Sequence, residues 1–142
     1  MQKKRVLFLC TGNSARSQMA EGLLRSFAGK EYEVFSAGTH PIPVRVEAVG
    51  VMGEIGIDIS DHFSKSVDRF IHEPFDYVVT VCDSAKESCP VFHGARGTLH
   101  WSIKDPVGVG GTEAFRNARN ELERRIRAFL AGTPEGIKDS TS

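Results

Sequence analysis

Four short runs of β-forming, mostly apolar residues punctuate this chain. They are "RVLFL" at 5–9, "EVFS" ending near Ser36, "FDYVVTVC" at 75–82 and "GTLHWSI" at 97–103. Stretches with helical spacing separate them. Over Ser17–Phe27 the residues Met19, Leu23, Leu24 and Phe27 share one face. Over Val44–Ile55 the inner face is Val44, Ala48, Val51, Met52 and Ile55, and over Glu113–Leu130 it is Phe115, Ala118, Leu122, Ile126 and Phe129, behind Thr112 as an N-cap. Ser64–Ile71 reads as a short helix before Pro74, and "KDPVGVGGT" as a loop. Parallel neighbours need a crossover between them, and alternating strands and helices supply one. The expected fold is α/β: a single doubly wound domain over residues 1–131, with a four-stranded parallel sheet of order 2-1-3-4 and helices on both faces. A chain of 142 residues suits one such core. Residues 132–142 read as a polar, disordered tail.

The order 2-1-3-4 sets strands 1 and 3 side by side at a switch point, and ligands bind there, beyond the carboxyl ends of the strands. The first strand ends there in Cys10. Thr11, Gly12, Asn13, Ser14 and Ala15 follow, then Arg16 and Ser17 at the start of a helix. Gly12 permits a sharp turn and Asn13 tolerates a left-handed backbone. A loop of this kind aims successive N–H groups at one point, where the helix dipole also favours negative charge. Arg16 adds a planar fork matched to two oxygens of a tetrahedral oxyanion. The same field favours the thiolate of Cys10, and hydroxyls of Ser17 and Ser14 are placed to donate to it.

Asp105, in "KDP" after the fourth strand, falls at the same edge of the sheet. It suits a general acid that protonates a leaving oxygen, or simply a turn. Cys82 ends the third strand and Cys89 follows seven positions later. Neighbouring strands lie about 4.8 Å apart, inside the Cα separation of roughly 4.4–6.8 Å that a disulfide tolerates, so Cys82 is placed to attack an adduct on Cys10. A helical Cys82–Cys89 segment would hold its thiols about 10 Å apart by rise alone, so a bond between them requires that segment to change shape. Two bland readings stand beside this one: buried inert thiols, and a partial metal site with His93.

The rest of the sequence excludes more than it adds. Eighteen basic residues balance 18 acidic ones, so no nucleic acid or anionic membrane partner is expected. The apolar run of "MQKKRVLFLC" stops at Thr11, too short for a signal peptide, and the expected location is cytoplasmic. Three cysteines argue against a disulfide framework. "RRIR" reads as the solvated face of the last helix.

"VLFLCTGNSARSQMAEG" resembles the phosphate-binding loop and first helix of the low-molecular-weight protein tyrosine phosphatase superfamily. With "SAG", "IDIS", "VVTVCDSAKESCP" and "HWSIKDP", the chain is similar to its redox branch, the thioredoxin-coupled arsenate reductases. The resemblance implies Cys10 as nucleophile, Arg16 as oxyanion clamp, Ser17 as thiolate stabiliser and Asp105 as general acid. It further implies a relay in which Cys82 attacks the Cys10–arsenic adduct and releases arsenite. Cys89 then attacks the Cys10–Cys82 disulfide and leaves Cys82–Cys89 for thioredoxin. No cofactor is implied; the electrons come from thioredoxin. Some members of the branch hold potassium at residues matching Asn13, Glu21 and Ser36, but Lys65 stands where their aspartate would fall. Two other functions share the loop: a phosphatase with incidental thiols, and an oxyanion- or redox-responsive binding protein. Phosphatases of this group usually place an aromatic where this chain has Val107.

Overall fold

The computed structural model describes residues 3–82, 85, 92 and 95–132. Strands β1 (Lys4–Cys10), β2 (Tyr32–Gly38), β3 (Tyr77–Thr80) and β4 (Gly97–His100) form one parallel sheet of order β2-β1-β3-β4. Helices α1 (Arg16–Ala28), α2 (Val46–Gly53), α3 (Pro106–Val109) and α4 (Thr112–Ala131) complete the described elements. The expected class and strand order are therefore the observed ones.

Successive side chains of a strand point to opposite faces, and both faces of this sheet are apolar. Phe8 packs on Trp101, and Phe129 of α4 meets Trp101, Tyr32 and Tyr77 at centroid distances of 5.2–6.3 Å. On the opposite face Phe35 packs against Phe70 and Phe75, and Phe75 against Phe92. Burial on both sides explains the nearly continuous apolar run of β1. Trp101 is 1% exposed at the centre of the first cluster. Trp101→Ala is expected to cost about 3–5 kcal/mol of stability, measured by denaturant unfolding.

Several boundaries differ from the expected ones, for identifiable reasons. β2 runs on to Gly38 because that residue pairs with Cys10. α2 begins at Val46, not Val44, because Arg45 is extended and its N–H is bound to the Ser14 carbonyl. Residues 64–71 do not form the expected helix. Their backbone is committed to the sheet edge, with the Gly38 N–H donating to Lys65 O and a bridge from Gly38 to Ser66. Only a 3₁₀ turn at Val67–Arg69 remains. Part of the expected 104–112 loop is α3, capped by the Asp105 carboxylate, which accepts from the Val107 N–H. Gly111, not Thr112, takes the cap position of α4 and offers no side chain for it. Gly110 and Gly111 have φ of 86° and 84° with ψ near 155°, a region open essentially to glycine.

The arginines of α4 divide into two sets. Arg124, Arg125 and Arg127 pair with Glu121 and Glu123 one turn away, as a solvated face does. Arg119 instead is 7% exposed and donates to Val51 O at 2.7 Å and Glu54 Oε1 at 2.9 Å, fixing the end of α2 on α4. Hydrogen bonds from Arg116 hold the Glu54 carboxyl down at about 2. No described helix is long and apolar enough to cross a membrane.

Candidate active site

The loop from Cys10 to Arg16 lies at the carboxyl end of β1. Its carbonyls are held from outside. Cys10 O accepts from Thr39 N, Thr11 O from His40 N, Gly12 O from Ile42 N and Ser14 O from Arg45 N, at 2.8–3.2 Å. Pro41 and Pro43, which have no N–H, fall between these donors. In a trans peptide the C=O and the following N–H point in opposite directions, and the described chain has no cis bond. Carbonyls tied outward therefore turn the loop N–H groups inward, towards a common centre. That is the geometry of an anion-binding nest.

Asn13 sits at φ 49°, the described chain's one non-glycine residue with positive φ. Its side chain is fully engaged. Oδ1 accepts from the Lys65 N–H at 2.9 Å, and Nδ2 donates to Ser17 Oγ at 2.8 Å and Ser36 Oγ at 2.9 Å. The Ser36 hydroxyl is spent on Glu21 Oε1. Ser17 Oγ, which accepts from Asn13, lies 2.8 Å from Cys10 Sγ, placed to donate its hydrogen to a thiolate there. The sulfur also accepts from the Asn13 N–H at 3.1 Å. Cys10 is thus met by an N–H and a hydroxyl while only 3% exposed.

Arg16 opens α1 and reaches across to the segment after β4. Its Nη1 donates to Ile103 O at 2.9 Å, and its Nη2 lies 3.9 Å from Asp105 Oδ1. The side chain of Asp105 is 53% exposed. Oδ1 faces the Val107 N–H and Arg16, which leaves Oδ2 as the oxygen free of those two partners.

Cys82 joins this group one place from where the sequence reading set it. Leu9 pairs with Thr80, and continuing that register brings Cys82 level with Thr11 rather than Cys10. Thr11 Oγ1 and Cys82 Sγ lie 3.4 Å apart. Cys10 and Cys82 are both free thiols. Cys89 and His93 lie outside the described residues.

Asn13, Glu21 and Ser36 do come together, but as partners of one another. Glu21 Oε2 meets Arg25 at 2.6 Å, and burial lowers the Lys65 ammonium, with Glu21 raising it and the nearby Arg69 and Arg25 lowering it further. With cationic side chains already there, these residues do not fit a potassium ion. No group of three or more His, Cys, Asp or Glu suited to a metal occurs among the described residues. A hollow of about 600 Å³ opens at the opposite edge, beside Lys3, Phe27, Tyr32 and Leu130. None of the sequence-predicted site residues lines it.

Two residues of this site escaped the sequence reading. Gln18 is fully buried, and Ser64 lies in the segment read as a helix. Gln18 Nε2 donates to Asn13 O and to Phe63 O, both at 3.0 Å, and the single hydroxyl hydrogen of Ser64 is shared between Asn13 O, at 2.8 Å from Oγ, and Ile42 O. A glutamine at an ordinary helix position and a serine in a segment with helical spacing carry no local signal of these bonds.

Fold and site together define a doubly wound α/β protein with a tightly held loop, bracketed by a cysteine and an arginine, at the end of its first strand. More narrowly, the chain belongs to the low molecular weight phosphotyrosine protein phosphatase family, whose model matches residues 5–140. It is 42% identical to an arsenate reductase of Halalkalibacterium halodurans, over 91% of this chain and 96% of that one. A solved arsenate reductase in the phosphate binding state aligns with a TM-score of 0.77 at 31% identity, covering 91% of this chain and 98% of that one. The thioredoxin-dependent arsenate reductase of Corynebacterium glutamicum aligns with a TM-score of 0.72 at 31% identity, covering 92% and 61%.

Proposed function

We propose that this protein is an arsenate reductase that draws its electrons from thioredoxin through three cysteines. The observation that carries the reading is a second thiol, Cys82, beside the anion loop that holds Cys10. A phosphatase of this loop type needs one cysteine. The identity to arsenate reductases supports the same choice.

Arsenate enters the ring of inward N–H groups and takes the fork of Arg16. The Cys10 thiolate attacks arsenic(V), and one oxygen departs as water with a proton from Asp105. Oδ2 is the oxygen suited to carry that proton, since a carboxylic acid donates from the oxygen that is not already accepting. Cys82 then attacks Cys10 Sγ. The S–S bond forms, the S–As bond breaks, and its electron pair stays on arsenic, which leaves as arsenite. Cys89 attacks Cys82 Sγ, forms the Cys82–Cys89 disulfide and releases Cys10 as thiolate. Thioredoxin reduces that disulfide by the same exchange. Ser17 and Asn13 stabilise Cys10 both as nucleophile and as leaving group. The expected compartment is the cytoplasm, where thiols are kept reduced.

The test follows NADPH oxidation with arsenate, thioredoxin and thioredoxin reductase. Wild type is expected to turn over. Cys89→Ser is expected to complete one turn at most, because its Cys10–Cys82 disulfide cannot be passed on. Wild-type turnover by Cys89→Ser would overturn the relay. Hydrolysis of an aryl phosphate without arsenate turnover would favour the phosphatase.

A further inference from the structure

Every carbonyl from Cys10 to Ser14 is held on the outer side of the loop, but one is held differently. Those of Cys10, Thr11, Gly12 and Ser14 accept from backbone N–H groups of residues 39–45. The Asn13 carbonyl has no backbone donor among these and takes two side chains instead, Gln18 Nε2 at 3.0 Å and Ser64 Oγ at 2.8 Å, whose one hydrogen it shares with Ile42 O. Both lone pairs of that oxygen are thereby used. A rotation of the Asn13–Ser14 peptide, about ψ of Asn13 and φ of Ser14, would turn the Ser14 N–H out of the cradle.

Gln18 is itself oriented. Its Oε1 accepts from His62 Nδ1 at 3.0 Å, which leaves both hydrogens of Nε2 for carbonyls, one on Asn13 and one on Phe63. Burial lowers the basicity of the His62 ring. The clamp therefore spans α1, the cradle and the 61–66 segment, and it touches neither the sulfur nor Arg16.

We propose that Gln18 and Ser64 are positioning residues for oxyanion binding: by holding the Asn13 carbonyl outward they fix the Ser14 N–H inward, as one of the donors that meet the anion. This rests on reading the loop as an oxyanion cradle and extends it to residues remote from the anion.

The test measures binding of inorganic phosphate by calorimetry, alongside thermal unfolding. Ser64→Ala is expected to weaken phosphate about five- to tenfold, the effect of one lost donor, and Ser64→Thr to restore it. Gln18→Met, which keeps the shape but not the donors, is expected to weaken it by at least as much. In turnover, KM for arsenate should rise more than kcat falls. A lowered melting temperature with wild-type phosphate affinity in Ser64→Ala would overturn the assignment, because it would reduce both residues to packing. Should Gln18→Met not fold, Ser64→Ala and its threonine rescue decide alone. Wild-type protein that binds no phosphate would sink the cradle reading itself, an outcome distinct from failure of the clamp.

Discussion

Cys10→Ser is expected to abolish arsenate-dependent NADPH oxidation, by at least about 10⁴-fold, the scale on which removing a nucleophile acts in other enzymes. A serine hydroxyl keeps its proton at neutral pH, and the donors around Cys10 Sγ do not remove it. The Asn13 N–H donates to that position and the Ser17 hydroxyl lies beside it, and neither is a base. The substitution adds or removes no heavy atom, and the loop carbonyls stay tied to residues 39–45. The variant should therefore still bind inorganic phosphate. Calorimetry and the coupled assay read the two properties separately. Residual turnover within a hundredfold of wild type would mean that another group attacks arsenic.

Gly38→Ala is the second change with a large expected effect, and it acts without touching any reacting atom. A methyl at Gly38 would lie 2.6 Å from Thr11 O, 2.9 Å from Asn13 N and 3.0 Å from Asn13 Cβ. Two of these are backbone atoms of the cradle, which cannot swing aside as a side-chain end can. Gly38 is also fixed on its own side, paired with Cys10 and donating to Lys65 O at 2.8 Å. The loop must give way instead. The expected loss of stability is about 1–3 kcal/mol, as for other overpacked positions. Phosphate affinity should fall by about tenfold or more, because donors displaced by a fraction of an ångström no longer converge. Denaturant unfolding and calorimetry check both. Wild-type affinity would show that the loop absorbs the methyl without moving its N–H groups.

The sheet was legible in the sequence because its information is local: apolar runs of strand length, spaced by helices, admit few parallel arrangements. The centre of the site was legible for a related reason. Cys10, Gly12, Asn13, Arg16 and Ser17 lie within eight residues, and their chemistry converges without knowledge of the rest. What escaped depends on distant pairing. The one-place offset of Cys82 follows from Leu9 meeting Thr80, and no property of either segment sets that register. Residues 64–71 have a helical pattern, but their backbone serves Gly38 and Asn13 instead. Thr112 is a good cap by type, yet two glycines in an extended, positive-φ conformation bring the chain in ahead of it. Gln18 was hidden by its ordinary position on a helix, where a glutamine signals little until its carbonyl partners are known.

The outer wall of the cradle carries a consequence for how this protein tolerates change. Residues 39, 40, 42 and 45 hold the loop by main-chain N–H groups alone. Such bonds are indifferent to the identity of the side chain, provided that proline stays off those four places. They are not indifferent to count. One residue inserted or deleted between Gly38 and Arg45 would shift each later donor past its carbonyl, and could bring Pro41 or Pro43 onto a place where an N–H is required. This stretch of surface is therefore free in composition and rigid in length, the reverse of what an exposed connection between a strand and a helix ordinarily allows.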